Sequence, residues 1–251
     1  MRIFNTLTGK KDELVKPEGG QIRLFVCGPT VYDYSHIGHA RTYVVFDTFV
    51  RWLRHVNLPV FYLQNITNVD DRIIVRAKAE NKNPIQLADF FYGAYLKDMK
   101  ALGIESVDKY APATDFMPDI VKQVKTLLKK DFAYEIRNDG IYFDVMKFPD
   151  YGKLSGRTAA QAEDSVSRID ESINKKSKAD FVLWKFPKTA IPKTFLGRFK
   201  KFIITPDGEP AWRTELGWGR PGWHIEDTAI SERYFGPQYD IHGGGIDIKF
   251  P

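Results

Sequence analysis

The sequence predicts an α/β fold: a parallel sheet covered by helices on both faces. Three observations carry this. Apolar runs of strand length, Ile22 to Val26 and Val60 to Thr67, alternate with longer stretches of helical period. Each of these runs ends in a polar segment, at the strand edge where open α/β sheets bind ligands. Cap and turn residues fall between the elements rather than inside them.

In chain order, Ile22 to Val26 reads as a buried strand, followed by the polar loop Cys27-Gly28-Pro29-Thr30-Val31-Tyr32-Asp33-Tyr34-Ser35-His36-Ile37-Gly38-His39-Ala40-Arg41. The apolar run Tyr43 to Leu53 has helical length, so the helix should begin near the two histidines. Val60 to Thr67 is a second buried strand. Asp70 and Asp71 then precede a helical stretch from Arg72 to about Glu80. Pro84 suits the first turn of a helix reaching about Leu102, with Leu87, Phe90, Phe91, Ala94, Tyr95 and Met99 at helical spacing and Gly103 as its stop. Asp119 to Lys130 is a lysine-rich helix with Ile120, Val121, Val124, Leu127 and Leu128 inward. Ala133 to Ile136 and Ile141 to Val145 flank Asn138-Asp139-Gly140, a hairpin signal. Ser155 to Lys178 is polar and irregular or partly helical, and Ala179 to Lys185 returns to apolar alternation. Three units are expected: the first half of a nucleotide-binding domain over 1–115, an insertion over 116–205, and the start of the second half over 206–251.

The composition sets outer limits. A chain of 251 residues with 43% hydrophobic content can bury a large core. It has no apolar stretch long enough for a bilayer, and Met1 to Thr6 lacks the apolar block of a signal peptide. A single cysteine excludes an internal disulfide framework and fits a reducing cytoplasm. The net charge of +5 suits a polyanionic partner. A monomer is expected.

The loop before the first helix carries the chemistry. A helix start offers unpaired N–H groups and the positive end of a dipole, which suits a phosphate. His36 and His39, at i and i+3, share a face and can donate to a triphosphate and to charge building at its α-phosphorus. On spacing alone, a metal pair or two surface histidines is the commoner meaning of His-x-x-His on a helix. A second constellation comes later, Gly219-Arg220-Pro221-Gly222-Trp223-His224-Ile225-Glu226-Asp227, then Tyr239-Asp240-Ile241-His242-Gly243-Gly244-Gly245-Ile246-Asp247. Three glycines after a strand end let backbone amides approach an adenosine or phosphate closely.

His36-Ile37-Gly38-His39 resembles the ATP signature of class I aminoacyl-tRNA synthetases. With Cys27 to Asp33 before it and the two later strings, the chain is similar to the cysteinyl-tRNA synthetase family. That resemblance implies a Rossmann-like sheet with a connective insertion, and a reaction in two steps: ATP-dependent formation of cysteinyl-adenylate, then transfer to tRNA(Cys), with Mg2+ accompanying ATP. It implies that His36 and His39 are catalytic, and that His36, Gly38, His39, His242, Gly243, Gly244 and Gly245 bind ATP. It places Gly28, Thr30, Thr67, Trp223 and Asp247 around L-cysteine. It also implies one Zn2+ that takes the substrate thiolate and rejects the harder hydroxyl of serine. Cys27 matches the first zinc ligand. The second position is Asp227 where the family has cysteine, and the family's remaining His and Glu would follow Pro251. Asp227 is thus either an oxygen ligand or a carboxylate in the first turn of a helix running from Thr228 to Tyr234.

The family's Lys-Met-Ser-Lys-Ser loop and helical anticodon-binding region have no counterpart here. The expectation is a catalytic region of a longer protein, with little cysteine activation on its own. Three other readings stay open: a ligase joining activated cysteine to an amino sugar, a non-catalytic ATP- or amino-acid-binding paralogue without metal, and a tRNA-binding module. The last would use the basic run Lys185, Lys188, Lys193, Arg198, Lys200 and Lys201, interleaved with Phe195, Phe199 and Phe202. A lysine-rich hairpin with docked aromatics is the plainer account of that run.

Overall fold

A computed structural model of the chain describes residues 1–15, 17, 20–156, 172–191 and 201–246. A hairpin that the sequence did not signal, β1 (Arg2–Asn5) with β2 (Lys10–Glu13), opens the chain. Then come β3 (Ile22–Val26), α1 (Ile37–His55), β4 (Val60–Ile66), α2 (Asp71–Ala79), α3 (Pro84–Ala101) and β5 (Lys109–Pro112). A fourth helix, α4 (Met117–Lys129), leads into β6 (Ala133–Ile136), β7 (Gly140–Phe143) and β8 (Phe181–Lys185). The described part ends with β9 (Phe202–Ile204), β10 (Pro210–Thr214), β11 (Gly217–Pro221), α5 (Trp223–Phe235) and β12 (Ile241–Gly243).

The parallel sheet has the order β12-β3-β4-β5. The chain moves from β3 to β4 and β5 on one side and returns as β12 on the other. The strand order therefore reverses between β3 and β12, which makes their carboxyl ends the switch point where such sheets bind ligands.

The alternation of β4 assigns its two faces. Tyr62 and Ile66 join a core with Tyr43, Val50 and Leu53 of α1 and Leu87, Phe91, Tyr95 and Met99 of α3. The opposite face meets α5 along its length. Phe61 packs its ring against Tyr234 and Phe235, and Leu63 shares a cluster with Ile230. Farther along, Asn65 bonds Asp227, and Thr67 just beyond the strand bonds Glu226. One helix is thus apolar where it crosses the strand's start and polar where it crosses the strand's end. Helices on both faces agree with the sequence-based fold class.

A six-stranded sheet of order β6-β7-β8-β11-β10-β9 stands beside it, antiparallel throughout. Asn138 takes a positive φ of 60° in the β6–β7 turn, where the sequence marks a hairpin. Helix α4 packs Ile120, Val121 and Val124 against Leu183, Trp184 and the far side of α5 at Ile225 and Ala229. Helix α5 is therefore wedged between both sheets. Strands β10 and β11 lie after residue 205 and still pair within this antiparallel sheet. Among the described residues, no helix is long and apolar enough to cross a membrane.

Two expectations are corrected. Helix α5 starts at Trp223 rather than Thr228, because Gly222 turns the chain directly out of β11 and serves as the N-cap. Asp227 consequently sits in the second turn, not the first. Lys185 is not a surface cation of the basic run: it is buried in β8 and pairs with Asp71 at 3.4 Å. Lys193, Arg198, Lys200, Phe195 and Phe199 lie outside the described residues, as does most of the polar stretch 155–178.

Candidate active site

The loop after β3 is tied down from two sides. The Cys27 N–H donates to the Gly243 carbonyl at 3.0 Å, continuing the β3–β12 pairing past the strand end. On the other side, Thr30 and Thr67 form a parallel bridge, with Val31 N–H donating to Thr67 O and Thr67 N–H to Pro29 O, both at 3.1 Å. Arg72 donates to the Thr30 hydroxyl at 3.1 Å. Gly28 is required by close approach: a Cβ there would sit 1.7 Å from the Asn65 carbonyl oxygen.

Helix α1 begins as the sequence suggests, with an unusual cap. His36 is the N-cap, its Nδ1 accepting from Gly38 N–H at 3.0 Å, and His39 Nδ1 accepts from His36 N–H at 3.3 Å. This is a capping box built from two histidines in place of a hydroxyl and a carboxylate. The rings stack with centroids 4.0 Å apart. Gly38 fits because a Cβ would press within 2.9 Å of the His36 ring. With each Nδ1 acting as an acceptor, the ring N–H of each histidine is on Nε2. The loop thereby holds two ring N–H donors beside the helix start. The His39 ring lies parallel to Tyr43, whose hydroxyl donates to the Cys27 carbonyl at 3.3 Å.

The second string arrives from α5. Cys27 Sγ lies 3.5 Å from Asp227 Oδ2, although 200 positions separate them. Asp227 Oδ1 accepts from Asn65 Nδ2 at 2.5 Å, while Asn65 Oδ1 accepts from Gly28 N–H at 2.6 Å. Thr67 donates to Glu226, which is fully buried and whose second oxygen has no hydrogen-bond partner. Burial pushes the Asp227 carboxyl up to about 7, against the pull of its bonds from Cys27 and Asn65. Burial and the neighbouring Asp227 push Glu226 well above the usual carboxylate range. Two adjacent carboxyls in one crevice create a demand for positive charge.

Trp223 stands one turn before Asp227 and so shares its helix face. It is half-buried and its ring lies tilted by 31° against His224, centroids 3.5 Å apart, and His224 in turn meets Phe181 at 4.4 Å. On β12, His242 is exposed, packs over Phe25 at 5.2 Å and shares a 2.6 Å hydrogen bond with Tyr239. Gly244 and Gly245 follow the strand end. Asp247 lies outside the described residues.

The structure thus brings Cys27, Gly28, Thr30, Thr67, Asp227 and Gly243 into direct contact with one another or through one shared residue, with His36 and His39 linked through Tyr43. Sequence reasoning assigned no role to Asn65, Glu226 or Tyr43. The strand period was a usable signal for Asn65, since it places that residue on the same face as Thr67.

The donor set can be tested against zinc. Two ligands of a tetrahedral zinc with Zn–S near 2.3 Å and Zn–O near 2.0–2.2 Å stand about 3.5 Å apart. The Cys27–Asp227 separation of 3.5 Å fits one edge of such a site. Among the described residues no group of three or more His, Cys, Asp or Glu side chains is placed to hold a metal, so the pair supplies part of a ligand set.

A nucleotide-type parallel sheet with a histidine-capped helix at its switch point defines an α/β domain of the class I synthetase kind. A model of the family described as "tRNA synthetases class I (C) catalytic domain" matches residues 13–251, and the chain belongs to that family. It is 47% identical over its whole length to the cysteine–tRNA ligase of Thermoplasma acidophilum, covering 51% of that protein. It is 43% identical to the cysteine–tRNA ligase of Pyrococcus horikoshii, covering 48%. The chain spans about half the length of the curated relatives it matches. Among solved structures, methionyl-tRNA synthetase of Mycobacterium tuberculosis in complex with methionyl-adenylate superposes at a TM-score of 0.45. That match has 19% identity and covers 50% of this chain and 25% of the other.

Proposed function

We propose that the protein containing this chain is a cysteine–tRNA ligase, activating L-cysteine with ATP and charging tRNA(Cys), as a cytoplasmic monomer. One observation carries the reading: Cys27, Asp227 and the histidine-capped start of α1 meet at the carboxyl ends of β3 and β12. The amino-sugar ligase and the metal-free paralogue draw no support from the relatives named above.

In this reading His36 and His39 donate from Nε2 to the triphosphate of ATP, with its Mg2+, beside the positive end of α1. The cysteine carboxylate attacks the α-phosphorus, the bond to the bridging oxygen breaks, and pyrophosphate leaves. A 3′-terminal ribose hydroxyl of tRNA then attacks the carbonyl carbon, loses its proton, and AMP leaves. The protein supplies orientation and charge stabilisation rather than a nucleophile. Cys27 and Asp227 would hold zinc, which supplies a soft acceptor for the substrate thiolate and so disfavours serine. Gly28, Thr30, Thr67, Trp223 and Asp247 surround the amino acid, and Trp223 covers its small side chain. His242 and Gly243 to Gly245 hold the nucleotide. The connective insertion over 116–205 contributes β6 to β9 of the antiparallel sheet, which β10 and β11 of the second half complete.

Charging of tRNA by the full-length protein tests this. Cysteinyl-tRNA should form, and His39→Ala should lower kcat/KM by about 100- to 1000-fold. Failure to charge any tRNA with cysteine, or equal charging with serine, would overturn the reading.

A further inference from the structure

We propose that Asn65 is a positioning residue for the metal site, its side-chain amide holding the Asp227 carboxylate so that one oxygen faces Cys27. This rests on the zinc reading above and adds a role for a residue that touches neither metal nor substrate.

Asn65 is 0% exposed on a strand face that is otherwise apolar at Phe61 and Leu63. A buried amide costs free energy unless both its ends are bonded. Here both are: the oxygen accepts from Gly28 N–H, and the nitrogen donates to Asp227 Oδ1. One side chain therefore grips the loop that carries Cys27 and the helix that carries Asp227.

The chemistry of Asp227 makes that grip consequential. A carboxylate has two oxygens and can rotate, whereas a thiolate offers a single sulfur. Asn65 engages Oδ1, which leaves Oδ2 turned to Cys27 Sγ at 3.5 Å. It does so with a neutral donor, so it adds no charge to the site. A cysteine at position 227 would present no second atom for Asn65 to hold. The orienting bond is thus matched to the aspartate of this chain, and residues that orient a ligand in this way commonly govern metal affinity.

Zinc affinity of the full-length protein, measured by competition with a chromophoric chelator, tests the proposal in four forms: wild type, Asn65→Ala, Asp227→Cys, and both together. Asn65→Ala should weaken zinc about 10- to 100-fold in the wild-type background. It should have little further effect beside Asp227→Cys, a non-additivity that a purely structural role for Asn65 would not produce. ATP affinity, reported from the α1 loop, should stay unchanged and shows that the domain is folded. If Asn65→Ala does not fold, the milder Asn65→Ser gives the same comparison. Equal losses in both backgrounds, or no loss in either, would overturn the proposal while leaving the zinc reading standing. A wild-type protein that binds no zinc would overturn that reading as well.

Discussion

Gly28 shows how tightly single positions are fixed at this crevice. Its missing side chain is what allows β4 to pass, since a Cβ would lie 1.7 Å from the Asn65 carbonyl oxygen. Gly28→Ala should therefore destabilise the protein by about 1–3 kcal/mol, read from the denaturant midpoint, because backbone must move to admit a methyl group. Asp227 makes a different demand. Its carboxyl is raised from 3.8 to about 7 by burial, so the folded protein binds a proton that the unfolded chain has released in that window. The stability this gives is complete below about pH 4 and lost as pH rises towards 7. Glu226, Cys27 and Asp70 face the same space, and Glu226 shifts in the same direction. In the metal-free protein Asp227→Asn should flatten the decline and leave the variant more stable than wild type at pH 8. Thermal midpoints between pH 5 and 8 measure this; parallel profiles for the two proteins would contradict it.

At the scale of elements, α5 is the piece on which the site depends, because it is held by both sheets. Its lower face follows β4, and its upper face packs on α4 and β8. A charge cluster reinforces the join. Asp71, in the first turn of α2, accepts from Arg220 of β11 at 2.5 Å and Lys185 of β8 at 3.4 Å. Burial pulls the Asp71 carboxyl up, but Arg220 and Lys185 outweigh it and hold it below the usual range. Arg220 and Lys185 are only 4% and 7% exposed, so Asp71→Ala would leave two cations buried without that carboxylate. The expected loss is about 3–5 kcal/mol by urea denaturation. A loss below about 1 kcal/mol, typical of an exposed pair, would show that the cluster is solvated. Strand β11 at this join is the hardest to read from the sequence. Gly217-Trp218-Gly219-Arg220-Pro221 holds two glycines and a proline, poor strand formers, and becomes β11 only because β8 and β10 flank it. By contrast β3, β4, α1 and α3 were legible, since each has a long apolar period and a clear cap or stop.

Across the whole molecule, function depends on bringing together segments at opposite ends of the described chain. The histidine pair and the cysteine could be singled out locally, because helix-start chemistry and residue type are written in adjacent positions. The Asn65 clamp and the Asp71 cluster could not, because they exist only once α5 lies across β4 and β11 lies beside β8. The same assembly places the start of α1, the Cys27 loop and β12 along one edge of the parallel sheet. Amino-acid-dependent ATP–pyrophosphate exchange by the full-length protein tests that assembly most directly, because it needs nucleotide, amino acid and thiol recognition at once and no tRNA. Exchange is expected with cysteine, with at least about a 100-fold lower kcat/KM for serine. Exchange that ignores the difference between the two amino acids, or none with cysteine, would contradict it.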